Sequence, residues 1–471
     1  MHFKTIFKSF KNKDMLKRIL IVLGIVVVYR FLAHVPVPLG DSATFKEAIE
    51  NLLAKSDFSS FLNLISGGGL TSLSIILVGL SPFITASIVV QLITKAIPRL
   101  EELSQDGETG RRKINQWTRI LTVPLAIVQS ITYIFILKQS AMANTAGVIE
   151  LSASQWILAV TAMTAGSIIL MWLGELISEQ GIGNGISMVI FASIISQFPN
   201  TFAQLFASLF DTSEGSLSLF GWLNLPVNPT VFWILLGFTV ALVVVVYFLV
   251  KLNEAQRIIT INYAKRVHGN SSYGGIKSIL PIKLIAAGVV PVIFATSFLA
   301  MPALIGQLIL TFNPGNEFVT NMINLFTAPS ASNFASQYPN GITGEWFVYP
   351  AMYFVLVVAF TYFYTSIIFN TNEIADNLQK QGGFIEGIRP GNTTAKYLNN
   401  VVNRLNLLGS LSLGLIAMLP FITDYIFILT LGYPIGLSIS GTGLLIVVTV
   451  ALESLRQLDS RALMITYDDY K

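Results

Sequence analysis

The sequence predicts an all-α polytopic membrane protein, with ten transmembrane helices in two inverted, pseudo-symmetric halves around a central pore. Three observations carry that reading. Charged residues make up 11% of the 471, against roughly 25% in soluble domains, and mean hydropathy is +0.68. Ten apolar runs stand out along the chain by hydropathy. The stretch from Phe58 to Thr94 is the third. It opens with a short apolar piece, Phe58–Ile65, breaks at Ser66–Gly69, and then runs as Leu70–Thr94 without an ionisable residue. About 20 apolar residues are needed to cross the hydrocarbon, so the first piece dips in and turns. Non-helical backbone at membrane depth survives only where protein or a water-filled cavity shelters it. A funnel or pore is therefore expected.

In chain order, Met1–Arg18 sets Lys4, Lys8, Lys11, Lys13, Lys17 and Arg18 among Phe3, Ile6, Phe7 and Phe10. That is an amphipathic helix lying on an anionic membrane face. Ile19–Tyr29 lacks a small-residue cleavage site after it and reads as an uncleaved first span. Nine more follow: Leu70–Thr94, Trp117–Leu137, Trp156–Ile177, Ile182–Leu209, Val231–Leu252, Lys283–Phe312, Trp346–Asn370, Leu405–Thr423 and Tyr433–Leu452. Ten spans leave both termini on one side. Lys and Arg number six in 1–18, six in 95–119, six in 251–283, four in 380–404 and three in 456–471, which is 25 of the 29, all on that side. Positive residues favour the cytoplasm, so both ends are expected on the cytoplasmic side. The Ser-, Asn-, Pro- and Gly-rich stretches 211–230 and 313–345 read as flexible outer linkers. The first divides the chain into an N-terminal half, 1–215, and a C-terminal half, 216–471, with large cytoplasmic loops at 253–282 and 371–404. Five spans per half make duplicated halves opposite in orientation, an inverted repeat.

What the spans lack narrows the function. Cysteine is absent, and His2, His34 and His268 lie far apart, so no metal site and no cofactor are expected. Span interiors carry essentially no Asp, Glu, Lys, Arg or His; Arg30, Glu175, Glu345 and Glu453 sit at span ends. Pumps and proton-coupled carriers need intramembrane ionisable groups. A sodium site built from carbonyls and hydroxyls stays open, and with it an inverted-repeat secondary transporter of a small solute. No nucleophile–base pair or metalloprotease motif points to an enzyme.

Five further stretches converge: DGETGRRKINQWTR (Asp106–Arg119), MWLGELISEQGIGNGISMVIF (Met171–Phe191), INYAKRVHG (Ile261–Gly269), AGVVPVIFA (Ala287–Ala295) and FIEGIRPGNTTAKYL (Phe384–Leu398). With the opening stretch, and in this order, they closely resemble the SecY family, the channel subunits of the bacterial Sec protein translocase. The resemblance implies a protein-conducting channel that passes unfolded secretory polypeptides and releases membrane segments sideways into lipid. It implies SecE-like and SecG-like small membrane subunits, the motor ATPase SecA, the ribosome through its RNA, signal sequences, and a bacterial plasma-membrane location.

Residue by residue, the resemblance makes 58–69 a plug with its hinge at Gly67, Gly68 and Gly69. Taken alone, such glycines read first as an ordinary loop hinge. It places a pore ring at Leu80, Ile84, Ile190, Ile293 and Ile446, where aliphatic side chains bind no substrate tightly and a narrow apolar neck dewets. Taken alone, an Ile in a span faces lipid or a neighbour. It places Gln91, Gln129 and Ile285 at a lateral gate, Ile285 standing where many relatives have Asn; unaided, the two glutamines read as helix–helix hydrogen-bond glue. Lys265, Arg266 and Arg389 become docking residues for SecA and the ribosome, beyond their share of positive-inside charge. A second basic pair common in the family is here Asn270-Ser271. Ribosome affinity is therefore expected to be lower and less steeply salt-dependent.

Overall fold

The structure is a computed structural model. It describes residues 13–38, 69, 72–144, 152–210, 217–219, 223–225, 229–263, 266–268, 271–273, 277–312, 315–327, 344–431 and 437–468. The chain divides into two compact units, one of Met1–Val243, Thr296–Pro350 and Pro420–Lys471, the other of Val244–Ala295 and Ala351–Leu419.

The first unit opens with α1 (Lys13–Leu32), α2 (Ser81–Ala96), α3 (Pro98–Gln105), α4 (Gly107–Asn144), α5 (Ala153–Gln180) and α6 (Gly185–Leu209). Helix α1 shows how an apolar helix sits in lipid. Met15, Val22 and Tyr29, seven apart, are buried, while Leu20, Val27 and Phe31 are exposed and just as apolar. Helix α5 is the hub on which α1, α4 and α6 pack. The Ser152 N–H donates to Gln155 Oε1 at 3.0 Å where α5 begins, which satisfies one of the donors a helix start leaves open. It ends on Gly181 at φ +68°, the left-handed position that favours glycine.

Hydropathy suggests one continuous span over Leu70–Thr94, and the structure corrects this. Residues 72–79 form turns, and helix α2 starts only at Ser81, with Pro82 in its first turn, where a proline's missing N–H costs nothing. The irregular segment is nevertheless buried, Ile76 and Leu77 at 0% and 3% exposure. Several of its polar groups are partnered. Val37 N–H donates to Leu73 O at 2.7 Å, Ile75 N–H to Val35 O at 2.9 Å and Gly79 N–H to Ile76 O at 2.9 Å. Ser167 Oγ on α5 donates to Gly79 O at 2.7 Å. A Cβ on Gly166 of α5 would overlap the Ile75 carbonyl oxygen, so glycine is what lets the segment lie against α5. Leu73, Leu77 and Val78 complete a core with Tyr133, Ile134, Ala159 and Met163.

The unit's remaining elements are a short hairpin of β1 (Leu217–Leu219) and β2 (Leu223–Leu225), then α7 (Pro229–Glu254), which crosses into the second unit. Later come most of α8 (Val290–Phe312), α9 (Glu317–Phe326), and α13 (Leu437–Asp468) packed on α6. The two stretches read as linkers therefore carry a hairpin and a helix.

In the second unit the two stretches expected as large loops build a sheet. Strand β3 (Gln256–Tyr263) pairs antiparallel with β6 (Lys277–Lys283) and with β7 (Gly383–Ile385), in the order β6-β3-β7. A smaller pair, β4 (Arg266–His268) and β5 (Ser271–Tyr273), lies in the β3–β6 connection. Alternation in β3 buries Ile259 and Ile261 and exposes Ile258 and Thr260. Ile259, Ile282, Ile385, Leu398 and Val402 form the core, with Phe369, just past α10 (Val348–Ile368), Ile374 of α11 (Thr371–Lys380) and Tyr397, Val401 and Leu405 of α12 (Asn392–Leu431) packed against it. Helix α8 begins at Val290 rather than at Lys283, after turns at 284–289, with Pro291 in its first turn and Gly288 at φ +63°.

Among the described residues five helices are long and apolar enough to cross a membrane, and six if α2 and α3, bent by 109°, form one span. Helices α1, α6, α7 and α13 lie where the sequence places four more, which is consistent with ten.

A tight joint in the first unit is the turn between α5 and α6. Gly185 N–H donates to Ser178 Oγ at 2.9 Å, which donates to Gly174 O at 3.1 Å, and a Cβ on Gly185 would overlap that carbonyl oxygen. We predict that Gly185→Ala lowers stability by about 1–3 kcal/mol, the usual cost of overpacking. The thermal unfolding midpoint in detergent reads this, and an unchanged midpoint would refute the close approach.

Candidate functional site

Two of the expected ring residues are brought together by the start of α2. Leu80 caps the helix, and its carbonyl accepts from Ile84 N–H at 3.0 Å. Positions i and i+4 share a face, and Leu80 and Ile84 are 1% and 3% exposed. Ile190 and Ile446 lie on a second pair of elements, α6 and α13. A Cβ on Gly443, three residues before Ile446, would be 3.3 Å from Cγ2 of Ile194, four residues after Ile190. Ser454 Oγ reaches Met188 Sδ at 3.2 Å lower in the same seam. Ile190 and Ile446 are buried as well. Ile293 belongs to the second unit, in the first turn of α8, 6% exposed. Its neighbour Phe294 meets Phe360 and Tyr364 edge-on, each at 6.0 Å between ring centroids.

Of the hinge glycines, Gly67 and Gly68 lie outside the described residues, as do plug positions 58–66. Gly69 is a buried turn residue whose carbonyl accepts from Ser74 N–H at 2.9 Å.

The gate glutamines stand on α2 and α4, which pack along each other. Gln91 Nε2 donates to Ser87 Oγ, one turn back in its own helix, at 2.9 Å. Among the described residues, the Oε1 atoms of both Gln91 and Gln129 are buried and have no hydrogen-bond partner, and neither carbonyl bonds across the described helix pair. Ile285 is 4% exposed in the turn before α8. There the Leu284 carbonyl presses on α12 so closely that a Cβ at Gly409 would overlap it.

The docking residues separate. Lys265 lies outside the described residues, and Arg266 is described only as the first residue of β4, paired with Tyr273. Arg389 is exposed on a turn fixed by its own backbone. Gly387 and Gly391 sit at φ +78° and +97°, and Thr394 Oγ1 donates to the Arg389 carbonyl at 2.9 Å. A rigid turn presenting a guanidinium suits phosphate or carboxylate contacts.

Sequence reasoning missed a convergence of three arginines on the C-terminal end of α5. Arg18 Nη1 donates to Gln180 O at 3.1 Å, and Arg119 Nε donates to Glu175 Oε1 at 2.7 Å. The Arg461 guanidinium lies against Gly181, where a Cβ would overlap it. Cations favour the carbonyl end of a helix, so one helix terminus ties α1, α4 and α13 to the hub. The only signal in the sequence is the glycine that ends the helix.

An unpartnered buried acceptor costs about 1–3 kcal/mol. Gln91→Met and Gln129→Met, which keep volume and remove the acceptor, are therefore expected to leave the thermal midpoint unchanged or raise it. A fall in the Gln129 variant would show that its carbonyl has a partner, whereas Gln91→Met also removes the Nε2 donor to Ser87 Oγ.

Comparison with known proteins extends the motif evidence to nearly the whole chain. A sequence profile of the SecY family matches residues 74–455. The protein translocase subunit SecY of Streptomyces coelicolor is 38% identical over 468 residues, 98% of each chain. Among solved structures, a protein-conducting channel matches with a TM-score of 0.63 at 18% identity, covering 93% of this chain and 90% of that one. Sec61 in a canine ribosome–channel complex from the endoplasmic reticulum matches at 0.60 and 16%, with the same coverage. Profile, near-full-length identity and fold agree: the chain belongs to the SecY family.

Proposed function

We propose that this protein is the central subunit of a bacterial protein-conducting channel, passing unfolded secretory chains across the plasma membrane and releasing apolar segments sideways into lipid. The observation that carries the reading is the buried, non-helical segment 72–79 leading into Leu80 and Ile84. An ordinary bundle of spans has no need of irregular backbone at that depth. Family membership supports reading the same feature as the inner wall of a funnel.

The ring is Leu80, Ile84, Ile190, Ile293 and Ile446. Its aliphatic side chains make no directional bonds, so no passing sequence is held, and a narrow apolar neck excludes hydrated ions. Residues 58–69 close it from the outer side, with Gly67, Gly68 and Gly69 as the hinge. Gln91, Gln129 and Ile285 line the lateral exit, where a polar group left without a partner favours a seam that opens. Halves 1–215 and 216–471 are inverted repeats, and both termini are cytoplasmic, as the distribution of Lys and Arg supports. SecE-like and SecG-like subunits accompany the chain. SecA supplies the energy of ATP, or the ribosome supplies its chain directly, docking on Lys265, Arg266 and Arg389. The canine neighbour's ribosome complex supports the second route. The chain itself does no chemistry. A small-solute carrier is not favoured, because the relatives matching the full length are translocase subunits.

In liposomes with a SecE partner and SecA, the protein is expected to move an unfolded precursor into a protease-protected lumen; no protected precursor would overturn the proposal. Deleting Phe58–Ile65 should raise resting ion conductance, and an unchanged conductance would argue against the plug. Arg389→Glu should cut SecA-driven translocation about tenfold, the loss of roughly one charge-assisted contact, with unchanged thermal stability.

A further inference from the structure

Helix α9, EFVTNMINLF, is ten residues long, and its side chains fall into three sectors. Val319, Met322, Ile323 and Phe326 share one face at helical spacing, with Val319 buried and the other three half-buried. That face returns onto α8, where a Cβ at Gly306 would stand 2.6 Å from Ile323 Cγ1 and 3.5 Å from Met322 Cε. Gly306 lies inside Val290–Gln307, the part of α8 long and apolar enough to cross a membrane. The turn of α9 at Ile323 is therefore level with a residue of the span rather than beyond its end. Glu317, Thr320 and Asn321 are exposed in a polar sector. Phe318 and Leu325, seven residues apart and so on one flank, are exposed at 75% and 38%.

The geometry points to α9 as an interfacial membrane helix at the C-terminal end of α8, with the Phe318–Leu325 flank in the acyl boundary and the Glu317–Thr320–Asn321 sector in water. Lipid is the occupant of that flank, for two reasons. Depth is the first, set by the contact with Gly306. Continuity is the second: Ile305 and Ile309, beside Gly306 on α8, are exposed at 54% and 38%, so the apolar surface of the span runs on toward α9. The stretch 313–345 has no Lys or Arg. Burial of apolar area therefore holds the helix, without attraction to anionic headgroups. The inference rests on the membrane-spanning reading of α8 but not on which side of the membrane this end faces.

The chain has no cysteine, so single cysteines report without background. F318C, L325C, T320C and N321C, all at exposed positions, carry an environment-sensitive dye in the full-length protein in phosphatidylcholine vesicles with a shallow doxyl-labelled lipid. Quenching is expected to be about twofold or more stronger at 318 and 325 than at 320 and 321, and unchanged on adding phosphatidylglycerol. Equal, weak quenching at all four sites would place the flank in water and overturn the inference. Blue-shifted emission at 318 and 325 that doxyl lipid does not quench would mean a protein segment covers the flank, and would also overturn it. I305C separates the two levels. Strong quenching there with none at F318C refutes the interfacial helix alone, whereas none at I305C refutes the span itself.

Discussion

In hydrocarbon no water is available to complete a backbone hydrogen bond, so each peptide group left open costs several kcal/mol. Residues 72–79 break the helical ladder where an unbroken span would be the simplest solution. They are tolerated because α5 presents Gly166 and Ser167 to them, one allowing close approach and the other bonding Gly79 O. The chain just after α1 supplies further bonds through Val35 and Val37. Without that small-residue face on α5 the segment would have to become helix.

The position of α2 follows from this. Because the irregular segment ends at Leu80 and Pro82 opens the helix, Leu80 and Ile84 are set in its first turn, buried and on one face. The hub helix thus sets both the shelter and the place where the proposed neck residues begin. Its far end is held by Arg18, Arg119 and Arg461. Movement at one end of α5 is therefore resisted at the other by contacts to three different helices.

Much of this was legible in the residues. The apolar runs locate the helices, and at α5 and α7 also their ends to within a few positions, because hydropathy measures what lipid selects; α4, α12 and α13 run on by seven to sixteen residues beyond their apolar runs. Hydropathy is blind to backbone conformation, so Leu70–Thr94 and Lys283–Phe312 read as whole spans although the helices start at Ser81 and Val290. Pro82 and Pro291 were the signals that could have placed those starts, since proline is favoured in a first helical turn. The stretch QRIITINY (Gln256–Tyr263) alternates as a strand does, and reading 253–282 only as a loop overlooked it. The joining of Arg18 to Gln180, 162 residues apart, leaves no local trace at all. Nor does periodicity separate a proposed neck isoleucine such as Ile190 from one facing a neighbour; the proposal for it rests on the motif around it.

The central claim is that an aliphatic neck is the passage for an unfolded chain. Its most direct test is disulfide crosslinking between single cysteines at positions 80, 84, 190, 293 and 446 and a cysteine in a precursor stalled midway. The absence of native cysteine makes every adduct assignable. All five positions should crosslink to the stalled chain, while lipid-facing positions 27 and 305 should not. A stalled chain that reaches none of the five, or reaches 27 and 305 as readily, would contradict the account.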